Sequence, residues 1–432
     1  MSDMMELLKA IYPLRLAPVS GGTDQCVKLL LEELPFTVHE YPSGVEHNGW
    51  VIPLKWEAHK AEIRKDGQLV YDGMAHPLGV VGYSQPFKGV VTLDELKRHL
   101  FTHPRWPNGL VYHCDLYYKV GRKDWGCCVP SNLYHALPAG EYDVDLRTTF
   151  EDGTLKVCDY LLPGELEETI IFNAHNCHAG QANDDIAGVV VGVEVLKRLA
   201  KRKNRYSYRL IIAPEHFGTV FYLANLSRRQ IERFKYCVFL EMLGNDNRLA
   251  LQESFTGTSE LDRAAYQYLR HYRPDFFADK FRKIVGNDET VWEAAGIEIP
   301  TISLSRFPYP EYHSSMDTDD IILESQLEDA VEAVLGMVHI LETNCTVRRQ
   351  FEGLVALSHP KYNLYIDQAD PSMRPTVPAE QRKWNYLMDC LPRYFDGKMT
   401  ILDIAERHEL PYDKLYAYIH RFQEKGLVEM LL

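Results

Sequence analysis

Short apolar runs alternate with amphipathic stretches between residues 169 and 343. Four of the runs are made of residues that favour strands and have the length of single strands: TIIFNA (169–174), RLIIA (209–213), YCVFL (236–240) and PTISLS (300–305). After the first run, Ile186, Val190 and Val193 recur at helical spacing. Apolar strands that alternate with helices predict an α/β fold, with a sheet covered on both faces.

The regions before and after this α/β segment have different predicted secondary structure. Residues 1–45 predict two helices around a Ser20-Gly21-Gly22 break, and residues 46–158 contain short β-rich runs separated by Gly, Pro and Asn. Residues 380–432 contain two short amphipathic helices and a final strand, a pattern typical of a winged helix-turn-helix. The predicted domains are a principal α/β domain (1–45 and 159–357), an inserted β-rich domain (46–158), a linker (358–379) and a winged-helix domain (380–432).

Composition narrows the class of protein. The chain has 432 residues, of which 46% are hydrophobic and 25% charged, as in ordinary globular proteins with a large core. No run approaches the ~18 apolar residues of a membrane helix, and the N-terminus has no small-residue cleavage site. The nine cysteines include no CxxC pair, so we expect free thiols, a cytoplasmic location and no membrane partner.

The charge balance bears on the predicted winged helix. The whole chain has a formal net charge of −14, and residues 380–432 contain eight Lys and Arg against nine Asp and Glu. Modules that bind DNA are normally basic, because they neutralise phosphates. We therefore expect a structural role or a homo-oligomer contact for this module rather than nucleic-acid binding.

Side chains with metal-binding or catalytic chemistry follow each of the four predicted strands. They are His175, His178 and Asp184 after the first strand, Glu215 and His216 after the second, Glu241 after the third, and Arg306 and His313 after the fourth. Each alone has an ordinary explanation as a loop residue, a helix cap or half of an ion pair. Together they predict one site, because the carboxyl ends of parallel strands meet at one edge of a sheet. Mixed imidazoles and carboxylates favour zinc, with manganese, cobalt and iron as alternatives.

Several motifs are together similar to those of a known family. They are CHAGQANDDIAG, APEHFG, the GNDE segment (286–289) and YPEYHSS. The chain resembles the zinc aminopeptidases of clan MH, and more closely a bacterial branch of uncharacterised proteins with a β-rich insertion and a C-terminal winged helix. The resemblance covers nearly the whole chain. It implies an αβα sandwich of the zinc aminopeptidase or phosphorylase-hydrolase type.

The resemblance also implies roles for individual residues. Carried over by motif, His178 corresponds to the first metal ligand, Asp184 to the ligand that bridges two metals, and Glu215 to the general base. The remaining implied ligands are His216, Glu241 and His313. His175 competes with His178, because the family's His-x-Asp motif would fall on residues 175–177, where Cys177 stands in place of Asp. Two zinc ions are implied, one held with His178 and Glu241 and the other with His216 and His313; a single ion is the alternative.

The function implied is that of a zinc-dependent hydrolase of the aminopeptidase type. A metal-bound hydroxide would cleave an amide bond of a small peptide or aminoacyl conjugate, with Glu215 as general base. Asp288 and Glu289 are candidates to bind a substrate ammonium, and Arg306 and Tyr312 to bind a carboxylate or line the pocket. The alternatives are an inactive peptidase-like sensor whose winged helix binds DNA, and a metal-dependent acyltransferase or cyclase.

Overall fold

The computed structural model describes residues 2–119, 121–366 and 378–432. These residues divide into two compact units, the first formed by 1–257 and 277–331 and the second by 258–276 and 332–432. Half of the predicted linker, residues 367–377, lies outside the described residues. Within the described ranges, every helix is too short or too polar to span a bilayer.

Both units contain strands and helices, which are numbered in chain order. The strands are β1 (Thr37–Pro42), β2 (Glu46–His47), β3 (Trp50–Val51), β4 (Lys55–Lys65), β5 (Gln68–Asp72), β6 (Phe87–Thr92), β7 (Leu100–Phe101), β8 (Cys127–Cys128), β9 (Glu141–Glu151), β10 (Thr154–Leu162), β11 (Thr169–His175), β12 (Ser207–Ala213), β13 (Phe234–Leu240), β14 (Ala250–Gln252), β15 (Phe277–Asp279), β16 (Thr301–Ser305), β17 (Thr346–Arg349), β18 (Asp396–Thr400) and β19 (Val428–Leu431). The helices are α1 (Asp3–Ile11), α2 (Gly21–Glu33), α3 (Leu93–Arg98), α4 (Asp115–Tyr118), α5 (Ser131–Ala136), α6 (Gly188–Leu199), α7 (Phe217–Ala224), α8 (Arg228–Ile231), α9 (Glu260–Tyr272), α10 (Glu289–Trp292), α11 (Glu324–Thr343), α12 (Ala379–Tyr394), α13 (Ile401–His408) and α14 (Tyr412–Glu424).

An eight-stranded mixed sheet forms the centre of the first unit. Its strand order is β1-β10-β12-β11-β13-β16-β14-β15. The four strands β12, β11, β13 and β16 are parallel neighbours, and they are the four apolar runs from which the sheet was predicted. The α/β class and the parallel core of the sheet are therefore confirmed, while antiparallel β10 and β14 flank that core and make the sheet mixed.

Helices cover both faces of this sheet. On one face, Ile171 and Ile211 belong to a buried cluster that includes Trp292 of α10. On the other face, α6 comes so close at Gly192 that a Cβ there would lie 2.8 Å from Cδ1 of Leu210. Since Leu210 and Ile211 are consecutive in β12, they point to opposite faces. Burial on both faces explains why these strands are apolar along their whole length.

Residues 46–158 have the β-rich structure that the sequence predicts. They contain a four-stranded antiparallel sheet in the order β5-β4-β9-β6, with a core that includes Trp56, Tyr112 and Trp125. By compactness this segment belongs to the first unit, and its description as a separate inserted domain stays a prediction.

The second unit contains a three-stranded antiparallel sheet in the order β18-β17-β19, together with α9 and α12–α14. The Thr400 side chain accepts a hydrogen bond from the Asp403 backbone N–H and caps α13. Within this unit, Arg263 of α9 forms ion pairs with Asp403 and Glu406. The two predicted amphipathic helices and the final strand are present, but β17 precedes the predicted 380–432 boundary. The winged-helix assignment stays a prediction.

Candidate metal centre

Two adjacent parallel strands bring the first two side chains of the site together. The register of β11 and β13 pairs Asn173 with Phe239, so two residues further along, His175 comes level with Glu241 on the same face. Nε2 of His175 lies 3.9 Å from Oε1 of Glu241. Both side chains are almost fully buried. The polar residues predicted to meet at the carboxyl ends of these strands therefore do so.

The loop between β11 and α6 places Asp184 beside His175 and Glu241. Its conformation is fixed by Asp317, whose carboxylate accepts hydrogen bonds from the backbone N–H groups of Asn183 at 2.7 Å and Asp184 at 3.2 Å. The Tyr309 hydroxyl donates to the same carboxylate at 2.7 Å. Asp317 thus positions the loop, although nothing in its own sequence context indicates this.

Asp184 faces histidines on both of its carboxylate oxygens. Oδ1 lies 3.3 Å from Nε2 of His175. Oδ2 lies 3.3 Å from Nδ1 of His178 and 3.2 Å from Nε2 of His313. Two groups of metal-ligand type therefore share this carboxylate, one formed by His175, Asp184 and Glu241 and the other by His178, Asp184 and His313, with the ligand atoms of each within 4.8 Å of one another.

Each residue of these groups has one buried side-chain atom without a hydrogen-bond partner. The buried, unpartnered atoms are Nε2 of His175, Nδ1 of His178, Oδ2 of Asp184, Oε2 of Glu241 and Nε2 of His313. A buried polar atom without a partner costs about 1–3 kcal/mol, so such atoms normally occur where something else binds them. Imidazole nitrogens and carboxylate oxygens are the ligands that zinc prefers. The residues present therefore fit one metal ion in each group.

The same contacts and the burial of the site shift the pKa values of its carboxylic acids. Burial alone would raise the pKa of Asp184, but the charge of His178 and the close approach of His175, His178 and His313 outweigh it and hold the pKa well below its usual value. Burial raises the pKa of Glu241 well above the usual range, and the nearby acids Asp185 and Asp184 add to the effect. A cation beside Glu241 would reverse this effect by favouring the ionised form.

Glu215 lies at the edge of the second group. Its Oε2 is 3.2 Å from Nε2 of His178 and accepts a hydrogen bond of 3.4 Å from the Tyr118 hydroxyl. Burial opposes its ionisation, but hydrogen bonding to His178 and the charge of that ring lower its pKa to about 2. Glu215 is therefore ionised at neutral pH, and it lines a cavity of about 290 Å³ together with His178, Asp184, Glu241 and His313.

His216 is not brought into either group. Its backbone is left-handed, with φ +56°, and its ring stacks on Trp50 at a centroid distance of 5.7 Å. Its ring lines a different pocket, on the Trp50 side. The pairing implied by the resemblance thus differs from the arrangement found, in which His178 accompanies His313 and His175 accompanies Glu241. The physical reason is the backbone turn at residue 216, which directs the side chain away from Asp184.

The two acids predicted to bind a substrate ammonium are engaged with the protein. The Asp288 carboxylate accepts hydrogen bonds from the His216 backbone N–H at 2.6 Å and from the Thr219 hydroxyl at 2.5 Å, at the start of α7. Glu289 is 0% exposed and accepts from the Asn287 backbone N–H. Both carboxylates are consequently buried and occupied by structural contacts.

The two residues predicted to bind a carboxylate differ in their surroundings. The Arg306 guanidinium is buried, donates to the carbonyl oxygens of Leu243 and Asn247, and pairs with Asp329 at 2.6 Å. It has a structural role in this position. Tyr312 does line the cavity, and its ring stacks on His313 at 3.8 Å.

Three residues near the site were not singled out from the sequence. Asn287 donates from Nδ2 to Oε1 of Glu241 at 2.5 Å, and the Tyr112 ring packs against His178 and His313. Arg282 lines the cavity. The GNDE motif could have indicated Asn287, and the aromatic residues of the β-rich segment could have indicated Tyr112 as part of a substrate-restricting wall. Arg282 lies in a segment with no recognisable pattern.

Comparisons with known proteins agree with this fold. Residues 5–344 match the family described as "Domain of unknown function (DUF4910)". A Clostridium acetobutylicum protein, "Putative polysaccharide biosynthesis protein with aminopeptidase-like domain", is 28% identical over 347 residues, which are 80% of this chain and 79% of that protein. The crystal structure of a "putative peptidase" from Clostridium acetobutylicum is similar with a TM-score of 0.85 and 25% identity, over 99% of this chain and 96% of that one.

A more distant structure shares the fold alone. The zinc aminopeptidase BSAP from Bacillus subtilis is similar over 78% of this chain and 93% of its own, with a TM-score of 0.58 and 14% identity. The mixed α/β fold is therefore similar to that of this zinc aminopeptidase. By the match over residues 5–344, the chain belongs to the DUF4910 family.

Proposed function

We propose that this protein is a zinc-dependent hydrolase of the aminopeptidase type, which cleaves an amide bond of a small peptide or aminoacyl conjugate. The observation that carries the proposal is the convergence of five residues in two groups that share Asp184, each residue with one buried, unpartnered side-chain atom. The fold shared with zinc aminopeptidases supports it, as does the printed name of the Clostridium acetobutylicum relative, which includes an aminopeptidase-like domain.

The residues that would hold zinc are those of the two groups. His175, Asp184 and Glu241 would hold one ion, and His178, Asp184 and His313 the other. Bound zinc would lower the pKa of a water molecule and polarise the scissile carbonyl.

Glu215 is the residue proposed to move the proton. It lines the cavity and is ionised at neutral pH, so it can accept a proton from the attacking water and deliver it to the leaving nitrogen. Its hydrogen bond with Nε2 of His178 has a second effect, because a carboxylate on the outer nitrogen fixes the tautomer of a ligating histidine. General acid–base catalysis of this kind contributes about 10²–10⁴-fold to a rate.

The experiment is to load the purified full-length chain with zinc and measure metal content and hydrolysis of a dipeptide and aminoacyl-amide library. Glu215→Gln should abolish turnover at near wild-type metal content, because Gln keeps a hydrogen-bond acceptor for His178 but cannot take up the proton. Glu194→Gln is the matched control: Glu194 is similarly shielded, at 19% exposed against 14% for Glu215, and pairs with Arg198 on α6.

The outcomes separate the hydrolase proposal from the ligand-sensor alternative. Hydrolysis that depends on Glu215 supports the proposal. A folded chain that takes up no zinc contradicts it and favours the ligand-sensor alternative. Loss of metal in Glu215→Gln would make Glu215 a ligand rather than the base.

A further inference from the structure

The cavity in front of the two metal-ligand groups contains a positively charged side chain. Arg282 is the single Lys or Arg among the described residues that line it. Its side chain is 42% exposed, whereas the buried Arg306 has 3%. Arg282 can therefore meet a ligand that enters this cavity.

The local backbone holds the Arg282 guanidinium in place. Residue 282 has φ +62°, in the left-handed region, and its guanidinium lies over Gly286, where a Cβ would come within 2.6 Å of Cζ. Nη1 pairs with Oε1 of the buried Glu289 at 3.3 Å. Within the described part of the chain, its other N–H groups have no hydrogen-bond partner. Glycine at 286 leaves room for the guanidinium and Glu289 pairs with it, while its remaining donors stay available.

The acidic side chains in and near the cavity already have other roles, so none remains to bind a substrate ammonium. The carboxylates among the described lining residues are Asp184, Glu215 and Glu241, which the proposed function assigns to metal binding and proton transfer. Asp288 and Glu289 are buried and engaged with the protein. The described lining therefore offers a cation for a substrate anion, but no spare carboxylate for a substrate ammonium.

We infer that Arg282 binds a carboxylate of the substrate, so that this site recognises amides carrying a free carboxylate, such as N-acyl amino acids and peptides with a free C-terminus. The inference rests on the proposed function, because it takes the reaction to be hydrolysis. In that reaction the oxygen of water bonds to the acyl carbon, the carbon–nitrogen bond breaks, and the nitrogen leaves with a proton. A planar guanidinium suits this role because it can donate two parallel hydrogen bonds to one carboxylate.

The test compares matched substrates on the zinc-loaded full-length chain. N-acetylated dipeptides have only a free carboxylate, and dipeptide amides of the same sequence have only a free amine. We expect kcat/KM to favour the acids, and this preference to fall about 10- to 100-fold when Arg282 is replaced, as expected for a lost charge-assisted hydrogen bond. The decrease in kcat/KM for the acids should come mainly from a higher KM.

The variants are chosen so that the buried Glu289 carboxylate is not left charged without its cationic partner. Arg282→Gln combined with Glu289→Gln removes both charges of the ion pair, and Arg282→Lys retains a charge for Glu289 but loses the planar fork. Arg233→Gln is the control, since Arg233 has a similar exposure of 37% and pairs with Glu167 at 3.0 Å. Circular dichroism and thermal unfolding establish that each variant is folded.

A binding measurement separates this inference from the proposed function. Calorimetry with N-acetylalanine and N-acetylalaninamide, on the zinc-loaded and the zinc-free protein, needs no turnover. Preferential binding of the acid that is lost in the double variant, reduced in Arg282→Lys and kept in Arg233→Gln supports the inference, even if no substrate is hydrolysed. Equal binding of acid and amide, or a preference that survives replacement of Arg282, overturns it while leaving hydrolysis to be judged separately.

Discussion

Nε2 of His175 lies 3.9 Å from Oε1 of Glu241, across the ends of two neighbouring parallel strands. This half of the site is built by regular sheet geometry. The other half is not, because His178 and His313 lie in irregular loops and both approach Asp184 from outside the sheet. If both halves bind zinc, the two positions should respond differently to substitution.

The first prediction concerns metal stoichiometry. His175→Ala and His313→Ala should each reduce zinc content from about two ions per chain to about one, since each removes a ligand from one group only. Asp184→Asn should lose both ions, because Asp184 belongs to both groups. Elemental analysis of protein dialysed against a fixed free zinc concentration measures this. Equal losses in all three variants would contradict the division into two groups.

The second prediction separates His178 from His216. His178→Ala should lower zinc affinity at least tenfold, whereas His216→Ala should leave zinc content unchanged, because its ring stacks on Trp50 instead of facing Asp184. Competition with a chelator of known affinity provides the measurement. Loss of zinc in His216→Ala would restore the ligand set implied by the motif comparison.

The third prediction concerns pH. Burial works against a charge on His175 or His178, but the anionic groups around them, including Asp184, raise the pKa of both rings well above the usual value. A ligating nitrogen must be unprotonated, so zinc has to displace these protons. Affinity should therefore rise with pH through neutrality, by about tenfold per unit for each proton released.

Calorimetry in buffers of different ionisation enthalpy counts those protons directly. Release of at least one proton per chain at pH 7 is expected, and fewer should be released at higher pH. Zinc binding that is independent of pH and releases no protons would show that the rings are already neutral in the metal-free protein.

The fourth prediction distinguishes Arg306 from Arg282. Arg306→Met should destabilise the fold by about 3–5 kcal/mol, because it removes a buried charge that pairs with Asp329 and donates to three carbonyl oxygens. Urea unfolding measures the change, with Arg233→Met as a surface control. A stable Arg306→Met variant with a raised KM would instead support the carboxylate-binding role predicted for it from the sequence.

The sequence was sufficient where regular structure decides the outcome. The four parallel strands follow from the apolar runs, and the convergence of polar residues follows from the rule that they meet at the carboxyl ends of strands. The motif comparison nevertheless paired Glu241 with His178, whereas the structure places it beside His175. The sequence was insufficient where the backbone torsion angles of a single residue determine the direction of its side chain. The left-handed backbone at His216 and Arg282 turns one side chain away from Asp184 and fixes the other over Gly286, and no periodic pattern encodes either turn.

The central proposal is that the two groups sharing Asp184 would each hold a metal ion, and a zinc-edge anomalous difference map from a crystal of the zinc-loaded chain tests it most directly. The account predicts two peaks about 3.5–4 Å apart, one beside His175 and Glu241 and the other beside His178 and His313, with Asp184 between them. A map with no peak at Asp184, or with zinc held elsewhere on the chain, would contradict it.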